Sequence, residues 1–280
     1  MKIVRSINEL QKLTRQMSKT KRIGVVPTMG FLHDGHLSLI RRAKKLSDVV
    51  ITTIFVNPTQ FAPGEDLEKY PRDEKGDIAK IKSVGGDIVF IPKMETVYPD
   101  DFQTYVNVEK LTQSLEGEKR PAHFRGVTTI VTKLFNMIRP DIAVFGMKDY
   151  QQAAVIKQMA RDLNFPVKIF IASTVREKNG LAMSSRNKYF NAEQRKEAVC
   201  LFQALMTAKR MVKEGEINCL KIKTKMKSVI KKFCPSAEID YIAFTNFDTL
   251  KPVKQIGKKN VCSLAVRLHG VRLIDNMKLK

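Results

Sequence analysis

Val25-Val26-Pro27-Thr28-Met29-Gly30-Phe31-Leu32-His33-Asp34-Gly35-His36 is an apolar run that ends in a turn punctuated by Pro and Gly, with two histidines three residues apart beyond it. The pattern Leu37-Ser38-Leu39-Ile40-Arg41-Arg42-Ala43 follows at helical spacing, so the stretch reads as strand, turn, helix. At such a junction backbone N–H groups converge and the helix dipole favours negative charge, which makes phosphate the natural ligand. Only four histidines occur in the 280 residues, and two of them are here.

The same grammar recurs outward from this stretch. Residues 22 to 26 and Val49-Val50-Ile51-Thr52-Thr53-Ile54-Phe55-Val56 are nearly continuous apolar, β-branched runs with a helical pattern between them. Further strands are expected at Asp87-Ile88-Val89-Phe90-Ile91, Ile142-Ala143-Val144-Phe145 and Val167-Lys168-Ile169-Phe170-Ile171, preceded by helices near 73 to 84, 126 to 138 and 149 to 163. Apolar strands alternating with helices predict an α/β fold, a Rossmann-like doubly wound parallel sheet covered on both faces. Ligands in such sheets bind beyond the carboxyl ends of the strands. The loops expected there are polar: Asn57-Pro58-Thr59-Gln60-Phe61, Gly146-Met147-Lys148-Asp149-Tyr150-Gln151-Gln152 and Ser173-Thr174-Val175-Arg176.

After Met183-Ser184-Ser185-Arg186-Asn187 the pattern changes. A helix is expected from Ala192 to about Val212 and another from Cys219 to Phe233, where Ile222, Met226, Val229, Ile230 and Phe233 share one face. Alternating runs at Glu238-Ile239-Asp240-Tyr241-Ile242-Ala243-Phe244 and Val261-Cys262-Ser263-Leu264-Ala265-Val266-Arg267-Leu268 predict a small antiparallel sheet. The expected organisation is a domain at 1–187 and a smaller α+β domain at 188–280 that covers the site.

The net charge of +22 admits an anionic partner or simply a basic surface. Residues 188 to 280 carry 20 Lys+Arg against 8 Asp+Glu, so the excess is densest away from the histidine turn. The lysines at 221 to 232 flank an apolar stripe with no aromatic stacking platform, which favours a solvated helix face over a nucleic-acid footprint. Cys200, Cys219, Cys234 and Cys262 show no C-x-x-C pairing and no histidine at ligand spacing, so reduced, partly buried thiols are expected rather than zinc ligands. The N-terminus is charged where a signal peptide needs an apolar core, and no stretch approaches membrane-spanning length. A cytoplasmic soluble protein is the expectation.

Neither a Gly-x-Gly-x-x-Gly nor a Walker pattern occurs. Taken singly, the remaining polar groups have structural readings beside the functional ones. His33 and His36 serve a turn as readily as an anion; Ser184-Ser185-Arg186 suits a polyphosphate or a helix cap; Asp149 beside Lys148 is placed as an N-cap. Gln60 and Gln152 are ordinary loop amides until they are read together with the rest.

Read jointly, PTMG-x-LH-x-GH at 27 to 36, FVNPTQF at 55 to 61, DLEKYPR at 66 to 72, HFRGV at 123 to 127, KDYQQ at 148 to 152 and GLAMSSRN at 180 to 187 resemble the pantothenate synthetase family, in that family's order and spacing. The resemblance implies an ATP-dependent ligase of the HIGH-type nucleotidyltransferase fold. It would condense pantoate with β-alanine through a pantoyl-adenylate and release AMP and pyrophosphate. It implies an ATP site at Met29, Gly30, His33, Gly35, His36, Gly146, Lys148, Asp149, Val175, Met183, Ser184, Ser185 and Arg186, with His33, His36, Lys148, Ser184, Ser185 and Arg186 acting in catalysis. His36 is the candidate proton donor in that comparison, Gln60 and Gln152 hold pantoate, and Gln60 also lies near β-alanine. Asp77 matches an acidic position associated with Mg²⁺, and a homodimer is implied. Two departures stand out: Met147 replaces the Glu common in the family's ribose loop, and Phe31 stands where a small residue is common. The rival readings are another nucleotidyltransferase of the same fold and, from a different class, a basic nucleic-acid-binding protein.

Overall fold

In the computed structural model, which describes Met1–Lys280, the apolar runs form a six-stranded parallel sheet. Its elements are β1 (Lys2–Val4), α1 (Ile7–Met17), β2 (Ile23–Thr28), α2 (Asp34–Lys44), β3 (Val49–Ile54), α3 (Glu74–Ser83), β4 (Ile88–Phe90), α4 (Met94–Val97), α5 (Glu116–Lys119), α6 (His123–Ile138), β5 (Ile142–Gly146), α7 (Tyr150–Asp162) and β6 (Lys168–Ala172). The strand order is β1-β4-β3-β2-β5-β6, and every pairing is parallel. From β2 the chain steps outward through β3 to β4, then returns to β5 on the other side. The order therefore reverses between β2 and β5, which is where a doubly wound sheet opens a crevice.

Period-two alternation divides the side chains between the two faces. Ile23, Val25, Val49 and Ile51 pack with α1, α6 and α7 through Leu10, Val131, Phe135 and Ile156, whereas Val26, Val50, Val89 and Val144 pack with α2 and α3 through Leu37, Ile40 and Ile81. Burial on both faces explains why these strands read as unbroken apolar runs.

The second group of elements comprises α8 (Ala192–Glu197), α9 (Cys200–Lys213), α10 (Cys219–Phe233), β7 (Glu238–Asn246), β8 (Asn260–Leu268) and β9 (Val271–Lys278). The three strands form an antiparallel sheet in the order β7-β8-β9, and Leu205, Ile222, Met226, Ile230, Leu264 and Val266 belong to its core. By internal contacts the chain divides into two units: Met1–Gly146 with Gln151–Ser173, and Met147–Tyr150 with Thr174–Lys280. Residues 174 to 187, expected from sequence to lie with the first domain, thus fold with the second unit.

Other departures from expectation have local causes. The edge strand β1 and the strand β9 escape the pattern, the first because it is three residues long, the second because Asp275 and Asn276 interrupt its apolar alternation. α6 begins at His123 rather than 126. The helix expected from 192 to 212 is two, parted at Ala198 and Val199, although both residues keep right-handed helical φ and ψ. No helix is long and apolar enough to cross a membrane.

Candidate active site

The turn after β2 is built on left-handed backbone: Gly30 has φ +86° and Phe31 φ +50°. Glycine meets the first at no steric cost; phenylalanine does not, so something else must hold that conformation. Asp77, buried at the start of α3, supplies it. Its Oδ2 accepts from the Phe31 N–H at 2.6 Å and its Oδ1 from the Leu32 N–H at 2.7 Å. A side chain added at Gly30 would come within 3.0 Å of that same Oδ2. Lys80 closes the turn, with Nζ donating to the Leu32 carbonyl at 2.9 Å and lying 5.8 Å from the centroid of the Phe31 ring. Burial pushes the Asp77 pKa up, against the lowering effect of the two backbone bonds and of Lys80.

The resemblance associates Asp77 with Mg²⁺; the structure gives its carboxylate a backbone role. Its carboxylate is 1% exposed and each oxygen is engaged by backbone, so it braces the turn.

α2 starts with a capping box made of histidines. His33 Nδ1 accepts from the Gly35 N–H at 3.1 Å, and His36 Nδ1 accepts from the His33 N–H at 3.4 Å. The ring centroids are 4.1 Å apart. With Nδ1 of each ring accepting from backbone, the neutral imidazoles carry their protons on Nε2. The pair is thus two hydrogen-bond donors at a helix N-terminus, which is chemistry suited to phosphate oxygens.

Gln60, in the 3₁₀ turn Pro58–Gln60 after β3, is buried. Its Oε1 accepts from Asn57 at 3.2 Å and its Nε2 donates to the Met29 sulfur. Asn57 Nδ2 also reaches the Gly126 carbonyl at 3.1 Å, while Tyr98 and Thr59 hydroxyls donate to Asn57 Oδ1, both at 2.9 Å. Gly126 is required here, because a Cβ would fall 2.2 Å from the Thr59 carbonyl oxygen.

The main-chain carbonyl of Gln60 is the focus of a network the sequence did not single out. It accepts from His123 Nδ1 at 2.8 Å and from Arg120 Nη2 at 3.3 Å. Arg120 Nη1 lies 3.2 Å from His123 Nε2, so His123 Nε2 is the acceptor and Nδ1 bears the proton. Burial, with the Arg120 charge adding to it, pushes His123 down to about 4. Arg120 in turn forms a two-point ion pair with Glu65, Nε to Oε1 at 2.8 Å and Nη2 to Oε2 at 2.6 Å. For the Glu65 carboxyl, burial is the largest influence and acts upward, but the Arg120 hydrogen bond and charge outweigh it, so its pKa is lowered. HFRGV at 123 to 127 belongs to the family resemblance, but the bonds from His123 to Gln60 and from Arg120 to Glu65 each cross more than 50 residues and leave no local signal.

The two adjacent glutamines of α7 differ in employment. Gln151 is buried and binds the loop ahead of α5, donating to the Leu111 and Ser114 carbonyls at 2.9 and 2.8 Å and accepting from the Glu116 N–H at 2.9 Å. Gln152 is half-buried and is not drawn into that set. Gly146 ends β5.

Within the second unit, Met147–Asp149 form a 3₁₀ turn clamped by β9: Asn276 Nδ2 donates to the Met147 and Lys148 carbonyls, each at 2.8 Å. Met147 therefore enters the clamp through its carbonyl. The neighbouring Asp275 is 3% exposed and takes a two-point ion pair from Arg176, at 2.6 and 3.0 Å. Lys148 Nζ lies 3.2 Å from Asp149 Oδ1 and lines a small cavity together with Ser184, Asn187 and Asp275. Ser184 caps the 3₁₀ turn Ser185–Tyr189, its Oγ accepting from the Arg186 N–H at 3.3 Å. The Val175 carbonyl accepts from the Met183 N–H at 3.0 Å, which pairs the two predicted nucleotide-contacting segments.

A family model described as pantoate-beta-alanine ligase matches residues 2–278. Pantothenate synthetase of Thermosipho africanus is 48% identical over 278 residues, 99% of each chain. The crystal structure of pantothenate synthetase from Thermus thermophilus has a TM-score of 0.94 at 40% identity, covering 100% of this chain and 99% of that one. That of the ligase from Francisella tularensis, complexed with beta-gamma ATP and beta-alanine, has a TM-score of 0.83 at 34% identity, covering 100% and 98%.

Proposed function

The chain belongs to the pantoate-β-alanine ligase family and is an enzyme joining pantoate to β-alanine, and from that premise we propose that it works through a pantoyl-adenylate made from ATP. A carboxylate does not condense with an amine unaided, because hydroxide is a poor leaving group. Attack of a pantoate carboxylate oxygen on the α-phosphorus breaks the bond to the β-phosphate bridging oxygen and expels pyrophosphate. The β-alanine nitrogen, as free amine, then attacks the activated carbonyl carbon, and AMP leaves with the oxygen that came from pantoate.

In this reading Met29, Gly30, His33, Gly35, His36 and Gly146 contact ATP, and the amides of Gln60 and Gln152 fix pantoate for in-line attack. Lys148, Asp149, Val175, Met183, Ser184, Ser185 and Arg186 also contact the nucleotide, and the cations and hydroxyls among them balance the charge that grows on the phosphates. The observation that carries this reading is the paired Nδ1 acceptance of His33 and His36, which presets both rings as Nε2–H donors at a helix N-terminus. His36 accordingly acts as a neutral donor to a phosphate oxygen. Magnesium would arrive as part of the nucleotide substrate, and no step is assigned to a protein-bound ion. A homodimer is proposed from the family likeness, and a light-scattering mass near twice 31.9 kDa tests it.

The test is exchange of labelled pyrophosphate into ATP. Exchange that requires pantoate but not β-alanine supports the adenylate; exchange indifferent to pantoate overturns it.

A further inference from the structure

The fold brings together three metal-ligating groups that the spacing of the sequence keeps far apart. Glu197 ends α8, Cys234 follows α10 as its C-terminal cap, and His269 occupies the two-residue turn between β8 and β9. Their ligand atoms all lie within 4.8 Å of one another, with His269 Nε2 2.7 Å from Glu197 Oε2. Cys234 is fully buried, Glu197 partly buried and His269 exposed.

We propose that Glu197, Cys234 and His269 bind a zinc ion. Thiolate, imidazole and carboxylate together select a borderline-soft ion with tetrahedral preference, and disfavour magnesium or calcium, which take oxygen ligands. Ligand atoms around tetrahedral zinc stand roughly 3.3–3.7 Å apart given bond lengths of about 2.0–2.3 Å. Reaching that geometry requires His269 Nε2 to draw back from Glu197 by about 1 Å, a displacement available to an exposed side chain on a hairpin tip. Three protein ligands leave a fourth position open, and the ion would fasten the hairpin to the helices behind it. A plain ion pair between His269 and Glu197 accounts for two of the three groups; Cys234, whose Sγ lies 3.4 Å from Ser236 Oγ, brings a third ligand atom within 4.8 Å of both.

The backbone offers a clean variant. His269 has φ +49° and Gly270 φ +79°, the signature of a type I′ turn, where Asn-Gly is the preferred pair. His269→Asn therefore removes the imidazole while suiting the turn. The experiment titrates Zn²⁺ and Co²⁺ into metal-free enzyme with a non-chelating reductant and no nucleotide. One Co²⁺ per chain should give a thiolate-to-cobalt charge-transfer band that disappears in Cys234→Ser and survives in Cys219→Ser and Cys262→Ser. Zinc affinity should fall at least about 100-fold in His269→Asn, since even partners outside the ligand shell are worth 10–100-fold. Turnover without added zinc should be unchanged in these variants. Absence of the band, or a band and affinity that persist in Cys234→Ser or His269→Asn, overturns the site. The His33–His36 pair has no thiolate and cannot mimic the signal.

Discussion

Asp77→Asn separates a loop brace from a metal ligand. The asparagine oxygen can still accept one of the two backbone N–H groups at Phe31 and Leu32, now 2.6 and 2.7 Å from the carboxylate, but its NH₂ would face the other. One charge-assisted bond, about 1.5–3 kcal/mol, is lost, and a buried N–H is left opposed, at about 1–3 kcal/mol. Relief of burying a carboxylate, visible as the raised Asp77 pKa, offsets part of this. A net of roughly 3 kcal/mol corresponds to about 100-fold in the population of the turn that holds Phe31 left-handed and His33 at its cap. The expected result is a fall of about that size in kcat/KM for ATP, measured by pantoate-dependent pyrophosphate exchange across a range of Mg²⁺ concentrations. The loss should be the same at every Mg²⁺ concentration. Recovery of activity at high Mg²⁺ would refute the brace and restore Asp77 as a metal ligand.

His36→Gln should keep most activity, because Gln at the third helical position completes a capping box and still presents an N–H, whereas His36→Asn should lose roughly 10²-fold or more in adenylate formation; equal loss in both argues for acid chemistry instead. Lys148→Ala should lower single-turnover adenylate formation by roughly 10²-fold, and a near-normal rate removes it from the site. His123 binds its proton less readily folded than unfolded, so its contribution is complete above about pH 6.5 and is lost as pH falls toward 4, by up to roughly 3 kcal/mol. Denaturant titrations from pH 7 to 4.5 should show a steeper acid loss for the wild type than for His123→Asn, which keeps a donor for the Gln60 carbonyl; parallel curves count against the network. Gly126→Ala must displace the Thr59 carbonyl, 2.2 Å from the new Cβ, and should raise KM for pantoate more than it lowers kcat.

The sheet was legible because its inner strands are buried on both faces, so β2, β3 and β5 read as continuous apolar runs. The histidine turn was legible for the same reason a cap is: short-range geometry leaves its mark on neighbouring residues. What stayed hidden depends on distant partners. Asp77 looks like any acidic residue in a first helical turn until the Phe31 and Leu32 amides are seen against it. Arg120 meets Glu65, and His123 meets the Gln60 carbonyl, only through the tertiary fold, and β9 was obscured by Asp275 and Asn276, the residues that make it useful as a clamp. Cys234 lacks a histidine nearby in sequence and has His269 beside it in space.

The adenylate is the centre of the account, and oxygen tracing tests it most directly. Pantoate carrying ¹⁸O in its carboxylate is turned over with ATP and β-alanine, and the products are weighed by mass spectrometry. One labelled oxygen should appear in AMP and none in pyrophosphate. AMP free of label would mean that the carboxylate never bonded to the α-phosphorus, and the proposed mechanism would fall.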